Sequence, residues 1–316
     1  SLRLVPEIES ATHSGLQTAL LSSKFGMMPD EAFHAFAKYK NSGHLNLNGI
    51  HLHIGSQNPD PEAYAEAFRM LTDSMMRIRD SAGTKLQHVN LGGGFPVRYI
   101  QDEPLSLNFP KERRDMFSAD FEPAAAVRNA WAEAKRFADD CGSSDIFDGL
   151  TLVLEPGRSV IADAGICLTA VKNLKTRPLP ETENRQLAND HWLLTDAGFN
   201  ILLSMVTYKW YYHLISAERA NEEHDFPYKI AGPLCDGGDV YFDVEGEGRL
   251  PEYRLLPEEV KPGEVLALLN AGAYTLAQAS QYNARFLPAV VLINAVGKPE
   301  LIRKRDGFDD LIANDL

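Results

Sequence analysis

Apolar residues in the first half of the chain follow two alternating periods. Short runs with every second position apolar are separated by longer stretches whose apolar positions fall three and four apart, the pattern of parallel strands joined by crossover helices. Leu2 to Ile8 predicts a first strand. Gly49 to Ile54 predicts a second, with Ile50, Leu52 and Ile54 on one face and His51 and His53 on the other. Gln87 to Leu91 and Leu150 to Leu154 predict the third and fourth. A helix opening at Pro29-Asp30-Glu31, with proline in a tolerated first-turn position and acids at the positive helix end, is expected to bury Phe33, Phe36 and Ala37 and to stop at Gly43. A second, from Pro61 to about Ser81, carries the stripe Tyr64, Phe68, Leu71, Met75 and Ile78. A third, about Glu122 to Ala138, is expected to turn Val127, Ala130, Trp131, Ala134 and Phe137 inward, after a polar insertion.

Beyond about Asp163 the rhythm changes to short β-rich pieces punctuated by Gly and Pro: Ile166 to Leu174, Trp192 to Thr195, Val265 to Leu269 and Ala289 to Ile293. Phe308 to Leu316 reads as a short terminal helix or a frayed end. The predicted class is α/β plus all-β: the C-terminal half of a (β/α)8 barrel over 1–163, followed by a mostly antiparallel β domain over 164–316. Four βα units make half of a closed barrel, and an open half leaves strand edges unpaired. The first residue is Ser, not Met, and a strand begins at once, so the chain is expected to start part way through a domain.

Composition narrows the function. A chain of 316 residues with 44% hydrophobic content fills a core. A formal charge of −13 argues against nucleic acid and anionic lipid as partners. No apolar run approaches the ~18 residues of a membrane span. Cys141, Cys167 and Cys235 are too few and scattered for a disulfide framework, which fits a cytoplasmic setting.

The candidate chemistry lies at predicted strand ends: His53-Ile54-Gly55-Ser56, Gly92-Gly93-Gly94 and Glu155-Pro156-Gly157-Arg158. In an α/β barrel these ends form one rim, so the three groups should converge. Glycines let backbone N–H groups approach an anion, and Ser56 and Arg158 suit phosphate oxygens. Glu155 can hold the proton of a pyridine nitrogen while His53 lies against the ring, a set that describes pyridoxal 5'-phosphate. Each piece alone is more often an interior histidine, a tight turn or a rim salt bridge. His51 and His53 also permit a metal-pair reading, but no further ligands appear on the other strand ends.

These motifs, with Gly232-Pro233-Leu234-Cys235-Asp236 and Gly272-Ala273-Tyr274-Thr275, resemble those of the ornithine, diaminopimelate and arginine decarboxylases, enzymes of the alanine-racemase-like fold. The resemblance covers about Ser1 to Asn294 and implies a homodimer with active sites shared between subunits. It implies that His53 stacks on the cofactor, that Ser56, Gly92, Gly93, Gly94, Gly157, Arg158 and Tyr274 hold its phosphate, and that Glu155 meets its nitrogen. It further implies that Cys235 returns a proton to the substrate α-carbon and that Asp236 meets the substrate. The family's Schiff-base lysine lies on an early strand in a Lys-x-Asn context; Lys40-Asn41 falls at a helix end, so the lysine is expected to be missing and the chain inactive by itself.

Two departures bear on the substrate. Position 236 is Asp where diaminopimelate enzymes usually have Glu, and the stretch Met205 to Tyr212 lacks the acid that diamine-forming relatives use for a distal ammonium. Tyr208 and Lys209 instead suit a larger or anionic amino-acid substrate, as in the siderophore-biosynthesis branch, and Arg285 is a second candidate partner for a carboxylate. The competing expectation is a non-catalytic homologue that binds partners or regulates an active relative.

Overall fold

The computed structural model describes residues 1–5, 24–101, 110–179 and 188–315. Two compact units emerge, one built from the described residues of Ser1–Arg98 and Lys111–Ile161, the other from those of Tyr99–Pro110 and Ala162–Leu316.

The first unit holds four short parallel strands in the order of the chain: β1 (Leu2–Arg3), β2 (Gly49–His51), β3 (His88–Asn90) and β4 (Thr151–Val153). Their register sets Leu2, Ile50, Val89 and Leu152 in one row and Arg3, His51, Asn90 and Val153 in the next. Neighbours in register share a face, so the apolar row packs under helices while the second row, polar except for Val153, lines the opposite side. Pro6 to Ile8 of the predicted first strand lie outside the described residues.

The helices are α1 (Pro29–Tyr39), α2 (Pro61–Ala82), α3 (Lys111–Phe117), α4 (Pro123–Asp140) and α5 (Arg158–Ile161). Proline opens α1, α2 and α4, where its missing N–H costs no helical bond. Asp60 caps α2 by accepting from the Glu62 amide at 2.9 Å, and Glu122 caps α4 through the Ala124 and Ala125 amides. Gly83 ends α2 at φ 60°. The predicted stripe of α2 is wholly buried, and Tyr64 stacks on Phe95 at 5.2 Å. Two smaller expectations are corrected. Ala32 takes the buried place in α1 while Ala37 is exposed, and Ala138 rather than Phe137 completes the buried face of α4, because the apolar stripe winds slightly around each axis. The polar insertion contains α3, whose Met116 and Phe117 are buried.

The second unit carries a six-stranded sheet of β5 (Cys167–Pro178), β6 (Asn189–Thr195), β7 (Leu214–Ser216), β8 (Phe226–Ala231), β9 (Arg254–Leu256) and β10 (Val265–Leu268), in the order β7-β10-β5-β6-β8-β9. Every pair is antiparallel except β6 with β8. Two short helices, α6 (Leu203–Thr207) and α7 (Phe308–Leu311), and a separate hairpin, β11 (Val290–Ile293) with β12 (Pro299–Arg303), complete it. The fold is therefore the predicted one: βα units of a barrel followed by an antiparallel β region. Among the described residues no helix is long and apolar enough to cross a membrane.

Candidate active site

At the C-terminal ends of β2, β3 and β4 the backbone is drawn together more tightly than any side chain would allow. A Cβ on Gly92 would lie 2.7 Å from the Leu52 carbonyl oxygen, one on Gly93 2.1 Å from that of Glu155, and one on Gly94 1.9 Å from that of Gly55. The Glu155 amide donates to the Gly92 carbonyl at 2.7 Å, and the Asn58 amide to the Gly94 carbonyl at 3.1 Å. The triple glycine thus closes three strand ends into one rim. Two of its amides are engaged within the protein, Gly92 with Asn90 Oδ1 at 2.8 Å and Gly93 with His53 Nδ1 at 3.2 Å.

The polar row of the sheet lies directly behind this rim. Asn90 Nδ2 donates to Glu155 Oε1 at 2.7 Å, and His51 Nε2 stands 3.8 Å from Glu155 Oε2. The Glu155 carboxylate is 55% exposed, so it is braced from behind and open in front. Burial, aided by the charge of Arg3 and by His51, pushes the His53 imidazole down to about 4, against the opposing pull of Glu155. His53 is therefore neutral at pH 7, and because Nδ1 accepts, its proton sits on Nε2. Burial also lowers the His51 imidazole, offset in part by Glu155.

Arg3 Nη2 and His51 Nε2 are buried without a hydrogen-bond partner among the described residues. Unmet polar atoms beside a neutral imidazole and an open carboxylate suit a polar heterocycle, so the residues fit the predicted cofactor. Ser56 is half-buried, Gly157 is exposed, and Arg158 opens α5 with 7% exposure. His51 and His53 direct their ring nitrogens to Glu155 and to the Gly93 amide.

Sequence reasoning missed three members of this site. Asn90 looked like a strand residue, yet it tethers both Gly92 and Glu155. Gln57, fully buried, donates to the carbonyls of Val97 at 2.6 Å and Met116 at 2.8 Å and so fixes the loop after β2. A glutamine directly after His-Ile-Gly-Ser was the only signal in the sequence. Arg3 was read only as part of an alternating strand.

The remaining candidates belong to the second unit. Cys235 is an exposed free thiol beside Asp236, whose Oδ2 accepts from the Tyr282 hydroxyl at 3.2 Å. Arg285 donates to the Pro233 carbonyl at 2.5 Å; the expected carboxylate partner is thus a backbone brace for the same loop. Lys209 has acidic neighbours within its own unit. It is 7% exposed and pairs with Asp243 at 3.6 Å and Glu245 at 3.1 Å, so its charge is answered inside the protein. Tyr208, its neighbour, is half-buried, and Tyr274 is exposed with φ 57°.

The family model for the pyridoxal-binding domain of pyridoxal-dependent decarboxylases matches residues 1–162. The chain belongs to this family. Pyridoxal phosphate is the family's cofactor, and the rim just described lies within the matched domain. Among curated relatives, the diaminopimelate decarboxylase of Methanocaldococcus jannaschii is 31% identical over the whole of this chain, which spans 62% of that enzyme. That of Bacillus subtilis is also 31% identical, with 63% of its length covered. Among solved structures, the Helicobacter pylori diaminopimelate decarboxylase complexed with L-lysine superposes with a TM-score of 0.74 at 28% identity, covering 98% of this chain and 65% of that one. The chain thus spans less than two thirds of the length of these relatives.

Proposed function

We propose that the full-length protein is a pyridoxal-phosphate-dependent carboxy-lyase that removes the α-carboxylate of a diamino acid, with diaminopimelate the first substrate to test. One observation carries this reading: the Gly93 backbone touches both His53 Nδ1 and the Glu155 carbonyl, so ring-facing and nitrogen-facing groups meet on one rim. The activity of the relatives, diaminopimelate decarboxylases, supports the choice of substrate.

In this reading His53 presents the flat face of a neutral imidazole, and Glu155, held by Asn90, presents a carboxylate to the pyridine nitrogen. Ser56, the Gly92–Gly94 turn, Gly157, Arg158 and Tyr274 hold the phosphate. When bound there, the cofactor supplies an electron sink for the charge left at the α-carbon as CO2 departs. The Cys235 thiol gives the proton that replaces CO2, and Asp236 orients the substrate. The protein works as a homodimer, as the resemblance implies. The siderophore-precursor reading rested mainly on Lys209 meeting a distal carboxylate, and the Asp243 and Glu245 pairing weakens it.

The test is CO2 release by the full-length protein with pyridoxal phosphate across diaminopimelate, ornithine, lysine and a citrate-conjugated diamino acid. Turnover of diaminopimelate is expected. Cofactor binding with no CO2 from any amino acid would favour the non-catalytic reading, and turnover of the conjugate alone would restore the siderophore one.

A further inference from the structure

The loop that carries Cys235 is held from below by a buried anion. Asp239 is 3% exposed, yet its carboxylate sits between two loops. Oδ1 accepts from the Phe199 amide at 2.8 Å, in the turn after β6, and Oδ2 from the Leu234 amide at 2.8 Å, one residue before Cys235. The space is vacated for it: a Cβ on Gly198 would lie 2.5 Å from Oδ1, and one on Gly232 2.3 Å from Oδ2. A side chain at either glycine would displace the carboxylate from this seat.

The other side of the loop is pinned as firmly. The Cys235 amide donates to Asn283 Oδ1 at 2.7 Å, and Arg285 takes the Pro233 carbonyl. Tyr282 stacks on Phe199 at 5.6 Å and donates to Asp236, which closes a ring through Phe199, Asp239, the Cys235 loop and Tyr282. The thiol itself remains exposed. Burial pushes the Asp239 carboxyl up from its ordinary value, against the pull of its two amide donors, so an anion there carries an electrostatic cost. A buried charge that spends stability to fix an exposed loop fits a demand for geometry at that loop.

We propose that Asp239 and Asn283 are positioning residues that clamp the backbone on both sides of Cys235 and so aim its thiol at the reacting carbon. This rests on the reading of Cys235 as the proton donor. A clamp of this kind acts through the thiol, and that separates it from a merely structural carboxylate.

The experiment uses the full-length holoenzyme with Asp239→Asn, Asn283→Gly, Cys235→Ala and the two double variants with Cys235→Ala. Asn at 239 keeps the shape but turns an amide group toward one of the two N–H donors. Gly at 283 keeps the backbone at φ 56° while removing the acceptor, and this exposed site leaves folding intact. Losing either anchor should lower kcat by about tenfold or more, with the larger loss at Asp239, whose bonds are charge-assisted. Each double variant should match Cys235→Ala within about twofold, since residues that act as a unit are non-additive. Amide exchange should quicken across 232–239 and leave β6 and β8 unchanged. Wild-type kcat in both single variants, multiplicative losses in the doubles, or exchange quickened throughout the sheet would each overturn the clamp. Full activity in Cys235→Ala would instead sink the reading of Cys235 itself, and the clamp with it.

Discussion

Gly93→Ala tests the rim with a single methyl group. The added carbon would stand 2.1 Å from the Glu155 carbonyl oxygen, against an ordinary contact of about 3.5 Å, so the ends of β3 and β4 must part by roughly 1 Å or more. Three short bonds cross that gap or depend on it: Glu155 amide to Gly92 at 2.7 Å, Asn90 to Glu155 at 2.7 Å, and Gly93 amide to His53 at 3.2 Å. Overpacking of this kind costs about 1–3 kcal/mol. For a cooperative unit of about this size each kcal/mol moves the midpoint by about 2–4 °C, so thermal unfolding should shift down by about 2–12 °C. Gly43→Ala is the control, because nothing lies within 4 Å of its would-be Cβ, and it should stay within about 0.5 kcal/mol of the parent. Both variants are followed by scanning fluorimetry and by titration with pyridoxal phosphate, where Gly93→Ala should weaken binding and Gly43→Ala should not. If Gly93→Ala melts and binds like its control, the glycines do not set the spacing of the rim and the site as described is wrong.

Asn90→Ala removes both the donor to Glu155 and the acceptor of the buried Gly92 amide, so a loss of about 1–3 kcal/mol and weaker cofactor binding are expected in denaturation and titration experiments. His53 titrates at about 4 in the folded protein and near 6.5 when unfolded, so the unfolded chain takes up the proton first; stability should fall as pH drops from about 6.5 toward 4. His53→Asn should flatten that limb, and a His53 ring resonance that titrates near 6.5 would contradict the assignment. Lys209→Met should destabilise the protein by about 1–3 kcal/mol, less than a fully broken buried pair because Arg249 also contacts Asp243 at 3.2 Å, and should leave KM unchanged. A large rise in KM with native stability would return Lys209 to the substrate.

The local signals in this sequence were strong wherever one residue decides its own structure. Proline at helix starts, the Tyr64-to-Ile78 stripe and the alternation of Ile50, Leu52 and Ile54 fixed α2, β2 and the side of the sheet that is buried, because period and capping act within a few residues. The same locality placed His53, Gly93 and Glu155 at strand ends. It missed β7, β8, β9 and β12: their strands are short or interrupted, as by Pro227, and pairing with distant partners is what makes them strands.

What the residues do was a tertiary matter. Lys209 and Arg285 looked like partners for a substrate carboxylate, since an unpaired cation in a loop offers nothing else to read; the folded chain supplies Asp243, Glu245 and the Pro233 carbonyl instead. The triple glycine suggested backbone that an anion can approach, and only the approach of neighbouring strand ends revealed that its missing side chains also make room for backbone. By itself, then, the sequence determined the family and most strands and long helices of the first unit, through interactions that reach a few residues along the chain. Which donor meets which acceptor at Asn90, Gln57 and Asp239 was decided only in three dimensions, because a hydrogen bond depends on distance in space and not along the chain.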